Sequence, residues 1–140
     1  MVEGKWLAPG QDLKIIFPIR EAVFGIGGDE WDLESWNAAV FVDSIPCATG
    51  RIRYYDGVFL LESICVLPAY RRQGIGELLL RLLLFKARQH SARIVRLFCP
   101  ESMVPFFKRY GFKQDSNGSL FLLGEDICLE NCRGCGKCRR

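Results

Sequence analysis

Branched and aromatic residues alternate with turn signals along the first half of the chain. Three apolar segments rich in such residues follow one another, and Asp43-Ser44 and Asp56-Gly57 separate them. Tight turns of this kind join antiparallel strands, so the pattern predicts an antiparallel meander. The predicted strands are Ala38–Val42, Ala48–Tyr54 and Phe59–Val66, preceded by an opening strand over Leu13–Pro18.

A different period begins after Pro68. Leucines recur at helical spacing around a polar stripe that includes Glu77 and Arg81, which predicts a long helix over Glu77–His90. Shorter elements surround this helix, and the whole pattern predicts a mixed α+β fold with a mostly antiparallel sheet and helices on both faces. The shorter elements before the long helix are a helix over Arg20–Phe24 that breaks at Gly25 and a short helix or loop over Asp29–Asn37. Those after it are a strand over Ile94–Phe98, a helix that Ser102 caps and that runs to Tyr110 before Gly111, and a final hairpin that Asn117-Gly118 closes.

The composition favours a single domain. The chain has 140 residues, of which 49% are hydrophobic, and this suffices for one core. Its 19 basic and 16 acidic residues leave a net charge of +3, which argues against a nucleic-acid binder. Charged residues interrupt the N-terminal segment before a signal peptide could form, and no apolar run approaches a membrane span of ~18 residues. We therefore expect a cytoplasmic protein that binds neither nucleic acid nor membrane, and a homodimer stays open.

Four of the seven cysteines crowd the C-terminal tail. Cys128, Cys132, Cys135 and Cys138 are close enough in sequence to surround one iron–sulfur cluster or one zinc ion. Disulfides are rare in a reducing compartment, and compact spacing is typical of iron–sulfur runs, which slightly favours a cluster. The alternative is a tail without metal or with oxidised cysteines. We expect a domain over residues 1–125 and a cysteine-rich tail over residues 126–140.

The segment after the last meander strand carries the chemistry. It reads Arg71-Arg72-Gln73-Gly74-Ile75-Gly76 and leads into the long helix. Unpaired N–H groups at a helix N-terminus attract a phosphate, glycines let the backbone approach it, and arginines add charge-assisted bonds. The NTPase pattern needs Gly-Lys-Ser/Thr, which is absent from this sequence, and the dinucleotide fingerprint needs a glycine where Leu79 stands. The alternative is a tight turn before a buried helix.

At these residues the sequence resembles the GNAT superfamily of acetyltransferases. That family's signature is Arg/Gln-x-x-Gly-x-Gly/Ala between a strand and a helix, and Arg71, Gly74 and Gly76 match it. The resemblance extends to segments on either side of the signature and covers about residues 13–123. These segments are Thr49-Gly50-Arg51, Leu61-Glu62-Ser63-Ile64-Cys65-Val66 and Val104-Pro105-Phe106-Phe107-Lys108-Arg109-Tyr110-Gly111-Phe112.

The resemblance implies a fold whose fourth and fifth strands splay apart. It also implies that the amine of a small molecule attacks acetyl-coenzyme A directly, without a covalent enzyme intermediate. Glu62, at the family's base position, is the candidate to remove the amine proton, and the alternative is an ion pair with Arg51 or Arg53. The residues expected to bind the coenzyme are Cys65, Val66, Arg71, Arg72, Gln73, Gly74, Ile75 and Gly76.

Two residues depart from the family's pattern. Phe107 stands where a tyrosine often protonates the departing thiolate, and Phe98 stands where an asparagine often bonds the pantetheine. A non-catalytic acyl-coenzyme A binding module therefore stays as one alternative, and a metal or redox interaction protein that acts through the cysteine-rich tail stays as another. Trp31 and Trp36 lie among acidic residues and suit either a cationic acceptor or a solvated acidic face.

Overall fold

The described part of the chain, residues 1–7 and 13–129 of a computed structural model, contains seven strands, three α-helices and four short 3-10 helices. The strands form a mostly antiparallel sheet in the order β1-β2-β3-β4-β5-β7-β6, which confirms the mixed α+β prediction. The strands are β1 (Val2–Leu7), β2 (Trp36–Val42), β3 (Ile45–Tyr55), β4 (Val58–Val66), β5 (Ile94–Leu97), β6 (Lys113–Gln114) and β7 (Leu120–Leu123). The helices are α1 (Phe17–Phe24), α2 (Ile75–Gln89) and α3 (Val104–Lys108).

The chain forms two compact units. The first takes residues 1–53 and 61–83, and the second takes residues 54–60 and the described residues from 84 onward. The strand β4 and the helix α2 each contribute residues to both units. The loop predicted to bind phosphate, together with Glu62, belongs to the first unit.

In the first unit, β2 pairs with an antiparallel strand on each side. Its partner β1 runs in register from Val2 opposite Val42 to Leu7 opposite Asn37. β1 was absent from the sequence prediction because its side chains are mostly exposed, so its apolar pattern is weak. On the other side β2 pairs with β3, with a register shift after Val40.

The segment Leu13–Pro18, predicted as a strand, is instead a turn followed by the first residues of α1. Pro18 stands in the first helical turn, where its missing N–H and fixed φ are tolerated. Leu13 and Ile16 are buried, a spacing of three that places both on one face of a turn. At the other end the helix stops at Gly25, as the sequence predicted, and Gly25 adopts φ 80°.

Helix α2 buries one leucine-rich face. Leu79, Leu80 and Leu83 in the first unit are fully buried, as the helical period predicted. A Cβ added to Gly50 of β3 would come within 3.0 Å of Leu83, so the glycine permits a close approach of sheet and helix. Within the described residues, no helix combines the length and the apolar character needed to cross a membrane.

The second unit contains the antiparallel strands β5, β7 and β6. Ile94 pairs opposite Leu123, and the turn before β7 has Gly118 at φ 87°, as the predicted hairpin requires. Ser102 does not cap a helix as predicted. It lies in a 3-10 segment (Glu101–Met103), and α3 begins only at Val104. The N-cap residue of α3 is Met103, whose side chain has no oxygen that could cap the helix.

Candidate active site

The predicted phosphate loop connects the end of β4 to the start of α2. After Val66 the chain makes a 3-10 turn over Pro68–Tyr70, and Leu67 anchors it by donating its N–H to the carbonyl of Cys47 at 2.8 Å. Arg71 donates from Nε to the carbonyl oxygen of Val66 at 3.0 Å, across the mouth of the loop. These bonds fix where the loop leaves the sheet.

Two residues of the loop have left-handed backbone conformations. Arg72 has φ 63° and Gly74 has φ 78°. A Cβ placed on Gly74 would meet no atom within 4 Å, so its conformation, and not lack of space, is what favours glycine in the free protein. The open space above Gly74 is room that a ligand can enter.

The loop also ends on a helix N-terminus. The N–H of Leu78 donates to the carbonyl of Gly74, so α2 begins here and the N–H groups of Ile75 and Gly76 lie in its first turn, ahead of any intrahelical acceptor. Residues 71–74 are exposed, whereas Ile75 is buried and anchors the turn. Exposed arginines, first-turn N–H groups and an open glycine fit a pyrophosphate.

Of the two β4 residues predicted to line the coenzyme site, Cys65 is more buried than Val66. Cys65 is buried, and burial raises the pKa of its thiol to about 11. Burial also raises the pKa of Cys47 and of Cys99, which has the nearby charge of Glu101 as a second cause. These three cysteines are therefore thiols at neutral pH, and thiols are poor nucleophiles. Their protonation fits direct acyl transfer better than a covalent cysteine intermediate.

Glu62, the predicted base, lies on β4 between two arginines of β3. Arg53 binds both of its carboxylate oxygens, with Nε 2.9 Å from Oε1 and Nη2 3.0 Å from Oε2, and Arg51 donates from Nε to Oε1 at 3.1 Å. Burial acts to raise the pKa of Glu62, but the hydrogen bonds and charges of the two arginines outweigh burial and lower it. The ion pair weighed as the alternative for Glu62 is thus present, with both arginines.

Arg51 extends this cluster to the segment before β2. Its guanidinium donates to both oxygens of Asp29, at 2.6 and 3.1 Å, and to Asp32 at 3.3 Å. Asp32 also accepts from Arg20 at 2.8 Å. The side chains of Arg20, Arg51 and Asp32 are buried, whereas that of Asp29 is exposed. For each aspartate, burial would raise the pKa, but the arginine bonds and a backbone N–H bond outweigh it and lower the pKa. Three arginines and three carboxylates thereby form a network without net charge.

Trp31 packs its ring on this network. The guanidinium carbon of Arg53 lies 4.4 Å from the ring centroid, a cation–π contact. Trp31, Asp29 and Asp32, which suited a cationic acceptor in the sequence, therefore already contact arginines of the protein. Arg51 and Arg53 were predicted from the sequence as alternative partners of Glu62, but the bonds of Arg51 to Asp29 and Asp32, and of Asp32 to Arg20, were not. Only the two-residue spacing of Arg51 and Arg53, which places both on one face of a strand, was available as a signal.

Comparison with known proteins identifies the family. A family model described as an acetyltransferase (GNAT) domain matches residues 35–114, more than half of the chain. The chain belongs to the GNAT acetyltransferase family. An uncharacterized N-acetyltransferase of Bacillus subtilis, YjcF, is 32% identical over 111 residues, which cover 74% of this chain and 79% of that protein. Family membership supports acetyl transfer as the general reaction of this GNAT protein, and GNAT enzymes generally use acetyl-coenzyme A as co-substrate.

Solved structures agree on the GNAT fold. Escherichia coli ElaA superposes with a TM-score of 0.73 at 19% identity and covers 86% of this chain and 97% of its own. The ribosomal-protein-S18-alanine N-acetyltransferase of the same organism superposes with a TM-score of 0.69 at 17% identity over 86% of this chain and 91% of its own. At these identities the likeness shows the fold.

The two residues that depart from the GNAT pattern lie in the second unit. Phe107 is buried, and its ring packs against Phe106 and Phe112 at centroid distances of 5.1 and 5.8 Å, whereas Phe98 is 75% exposed. Within the described chain, the hydroxyl of Tyr110 is buried and has no hydrogen-bond partner. Phe107 therefore serves this unit as a core residue.

Of the predicted metal ligands, only Cys128 is described, and it is disulfide-bonded. Cys132, Cys135 and Cys138 lie outside the described residues. Among residues 1–7 and 13–129, no group of three or more His, Cys, Asp or Glu side chains is placed to hold a metal ion. The metal site on the tail stays a prediction from the sequence.

Proposed function

We propose that this GNAT protein transfers an acetyl group from acetyl-coenzyme A to the amine of a small molecule by direct attack. The observation that carries the proposal is the loop between β4 and α2. It joins exposed arginines, a left-handed Gly74 with open space above it, and the first-turn N–H groups of a 15-residue helix. The arginines and the N–H groups attract a phosphate, the space at Gly74 admits it, and a coenzyme A pyrophosphate would engage them together.

Within this proposal the loop residues share the binding of the coenzyme. Arg71 and Arg72 supply positive charge, and the backbone N–H groups of Gly74, Ile75 and Gly76 supply hydrogen bonds. Because the side chain of Ile75 is buried, its contribution comes from the backbone alone. Cys65 and Val66 precede the loop on β4 and would contact the pantetheine arm through their backbone.

Glu62 would accept the proton that the amine loses. The amine nitrogen forms a bond to the thioester carbon, the C–S bond breaks, and the thiolate leaves with the electron pair of that bond. One N–H proton passes to the carboxylate of Glu62, directly or through a water molecule. Since Phe107 has no hydroxyl, water protonates the thiolate, at an expected loss of about 10²-fold relative to a positioned acid.

Turnover of the thioester tests the proposal. Free coenzyme A released from acetyl-coenzyme A is measured with a panel of small amines, and the acetylated amine is identified by mass spectrometry. Acetylation of an amine at a rate above the enzyme-free control supports the proposal. Tight binding of acetyl-coenzyme A without acetylation of any amine would favour the non-catalytic binding module, the alternative that Phe107 and Phe98 support.

The cysteine-rich tail motivates a second candidate role. We propose that Cys128, Cys132, Cys135 and Cys138 bind an iron–sulfur cluster or a zinc ion when reduced, since four thiolates at this spacing suit either. The disulfide at Cys128 supports the oxidised alternative for this sulfur. A metal or redox interaction protein would act through this tail, and removal of residues 126–140 would abolish its partner binding but leave acetyl transfer intact. A cytoplasmic location and a homodimer stay predictions from the sequence.

A further inference from the structure

The two oxygens of Glu62 are engaged unequally. Oε1 accepts from Nε of Arg53 at 2.9 Å and from Nε of Arg51 at 3.1 Å, and these two bonds use both of its lone pairs. Oε2 accepts from Nη2 of Arg53 at 3.0 Å, which leaves it one lone pair. Any proton that Glu62 receives therefore goes to Oε2, which already accepts a bond from a cation.

The charges around Glu62 favour its ionised form. Arg51 and Arg53 face it from β3, and the carboxylates of Asp29 and Asp32 reach the same cluster through Arg51, which they bind. The aspartates bind Arg51 and Arg20, while Glu62 binds Arg53 through a bidentate fork. Protonation of Glu62 would break that fork and remove the carboxylate charge that Glu62 presents to the largely buried Arg53.

A carboxylate held in this way is too weak a base to remove a proton from an alkylammonium ion. The amine of a lysine side chain has a pKa near ~10.4, so only about 1 molecule in 2,500 is neutral at pH 7. An α-amino group has a pKa near ~7.8, and about 1 molecule in 7 is neutral at the same pH. Once the nitrogen has begun to bond the thioester carbon, its N–H is far more acidic, and a weak base such as Glu62 suffices for the remaining proton.

We infer that this enzyme acetylates weakly basic amines, such as α-amino groups or aromatic amines, which arrive already neutral, and that it discriminates against alkylammonium groups such as the lysine side chain. The inference rests on the proposed function and names the substrate class of the same site. The contact between Arg53 and Trp31 supports it, because one face of this ring already holds a guanidinium at 4.4 Å. Glu62 is therefore the acceptor of a late proton, and the neutral amine is selected from solution.

A series of amines matched in size tests this inference by kinetics. Ethylamine, 2-fluoroethylamine and 2,2-difluoroethylamine differ little in shape, and each fluorine lowers the basicity of the nitrogen. We expect kcat/KM of the full-length enzyme to rise about tenfold per pH unit below the pKa of each amine and to level off at that pKa. The pH of the break should then move down the series with the amine.

Two outcomes contradict the inference and are distinguishable. A break at one pH for every amine would show that an enzyme group deprotonates the bound ammonium, which overturns the inference but keeps the acetyl-transfer function. Turnover of none of the amines, with no acetylated product, would contradict the proposed function itself and the inference with it.

A second measurement needs no turnover. Carbon-13 NMR of protein labelled at the glutamate carboxyl carbons gives the titration of Glu62 without acetyl-coenzyme A, and the Glu62→Gln variant assigns its signal. The cluster predicts a midpoint below that of an ordinary glutamate. A midpoint near neutrality would give Glu62 the basicity to deprotonate a strongly basic amine and would overturn the inference.

Discussion

Arg53 binds both carboxylate oxygens of Glu62, with N···O distances of 2.9 and 3.0 Å. The two side chains lie on neighbouring segments of a hairpin, β3 and β4, and the pair is largely shielded from water. A bidentate arginine–carboxylate pair fixes the carboxylate in place and keeps it charged. The pair therefore sets both the position and the basicity of the residue expected to receive the amine proton.

Replacing Arg53 should make Glu62 a stronger base. In Arg53→Gln the carboxylate loses a cation and two bonds, so the pKa of Glu62 rises from its lowered value toward or above the ordinary one. A carboxylate is active only when ionised, so the fall in activity at acidic pH should begin at a higher pH in the variant. The measurement is kcat against pH. Arg81→Gln is the control, because Arg81 pairs with Glu77 on α2. An unchanged pH profile in both variants would show that Arg53 does not set the basicity of Glu62.

Removing the base should slow chemistry more than binding. Glu62→Gln keeps the shape of the side chain but takes up no proton, so we expect kcat to fall by about 10² or more at neutral pH. The affinity for acetyl-coenzyme A, measured by calorimetry, should stay within about twofold. Glu77→Gln serves as the matched control. Full activity in the Glu62→Gln variant would assign Glu62 to the arginine network as a structural residue.

The buried aspartate of the network should matter for stability. Asp32→Ala removes the buried carboxylate that Arg20 and Arg51 share, and breaking a buried pair in this way destabilises by about 3–5 kcal/mol. Glu77→Ala, which removes one half-buried helix pair, should lower the free energy of unfolding by less than about 1 kcal/mol. Urea denaturation at pH 7 measures both, and equal losses in the two variants would contradict this ranking.

The same aspartate should contribute to acid sensitivity. The pKa of Asp32 is lowered in the folded protein, because its arginine and backbone bonds outweigh burial. Its contribution to stability is therefore full above the ordinary aspartate pKa and is lost as pH falls through the lowered one. Urea denaturation between pH 6 and pH 3 should show a smaller decline of the free energy of unfolding in Asp32→Ala than in the parent. An identical decline would assign the acid sensitivity to other groups.

The tail gives a prediction about metal. Protein purified without oxygen should contain iron and absorb in the visible range, or contain one equivalent of zinc and be colourless, if the four tail cysteines bind metal. Replacing Cys132 and Cys135 by serine should remove that metal, whereas replacing Cys47 should not. Absence of both metals from the parent, together with four freely reactive or disulfide-bonded tail cysteines, would leave the tail as an extension without a metal site.

The sequence predicted the elements whose signals are local. The period of α2, the turn at Asp56-Gly57 and the left-handed Gly111 were read correctly, because helical spacing and turn residues depend on near neighbours. The strand β1 was missed because pairing with β2, 30 to 40 residues away along the chain, holds its exposed residues in place. Leu13–Pro18 was misread because a short apolar run fits a strand and a buried turn equally well.

The site shows the same division. The loop Arg71–Gly76 was identified from its residues alone, since backbone freedom and charge are properties of the sequence itself. The network around Glu62 was only half visible: Arg51 and Arg53 lie on the adjoining strand, whereas Asp29 lies 22 residues before Arg51. No pattern in the sequence shows which distant carboxylates bind a given arginine, so the full set of bonds around Glu62 is known only from the structure.

The most direct test of the account is calorimetric binding of acetyl-coenzyme A to Gly74→Asp, with Gly57→Asp as the control. Both glycines have φ near 80° and open space where a Cβ would stand, so the two substitutions strain the backbone alike. Only the one at Gly74 places a carboxylate beside the predicted pyrophosphate, a repulsion of about 4 kcal/mol at close range. We predict binding weakened by more than about 100-fold in Gly74→Asp and unchanged in Gly57→Asp. Equal affinity of the parent and Gly74→Asp would contradict the assignment of this loop to the coenzyme.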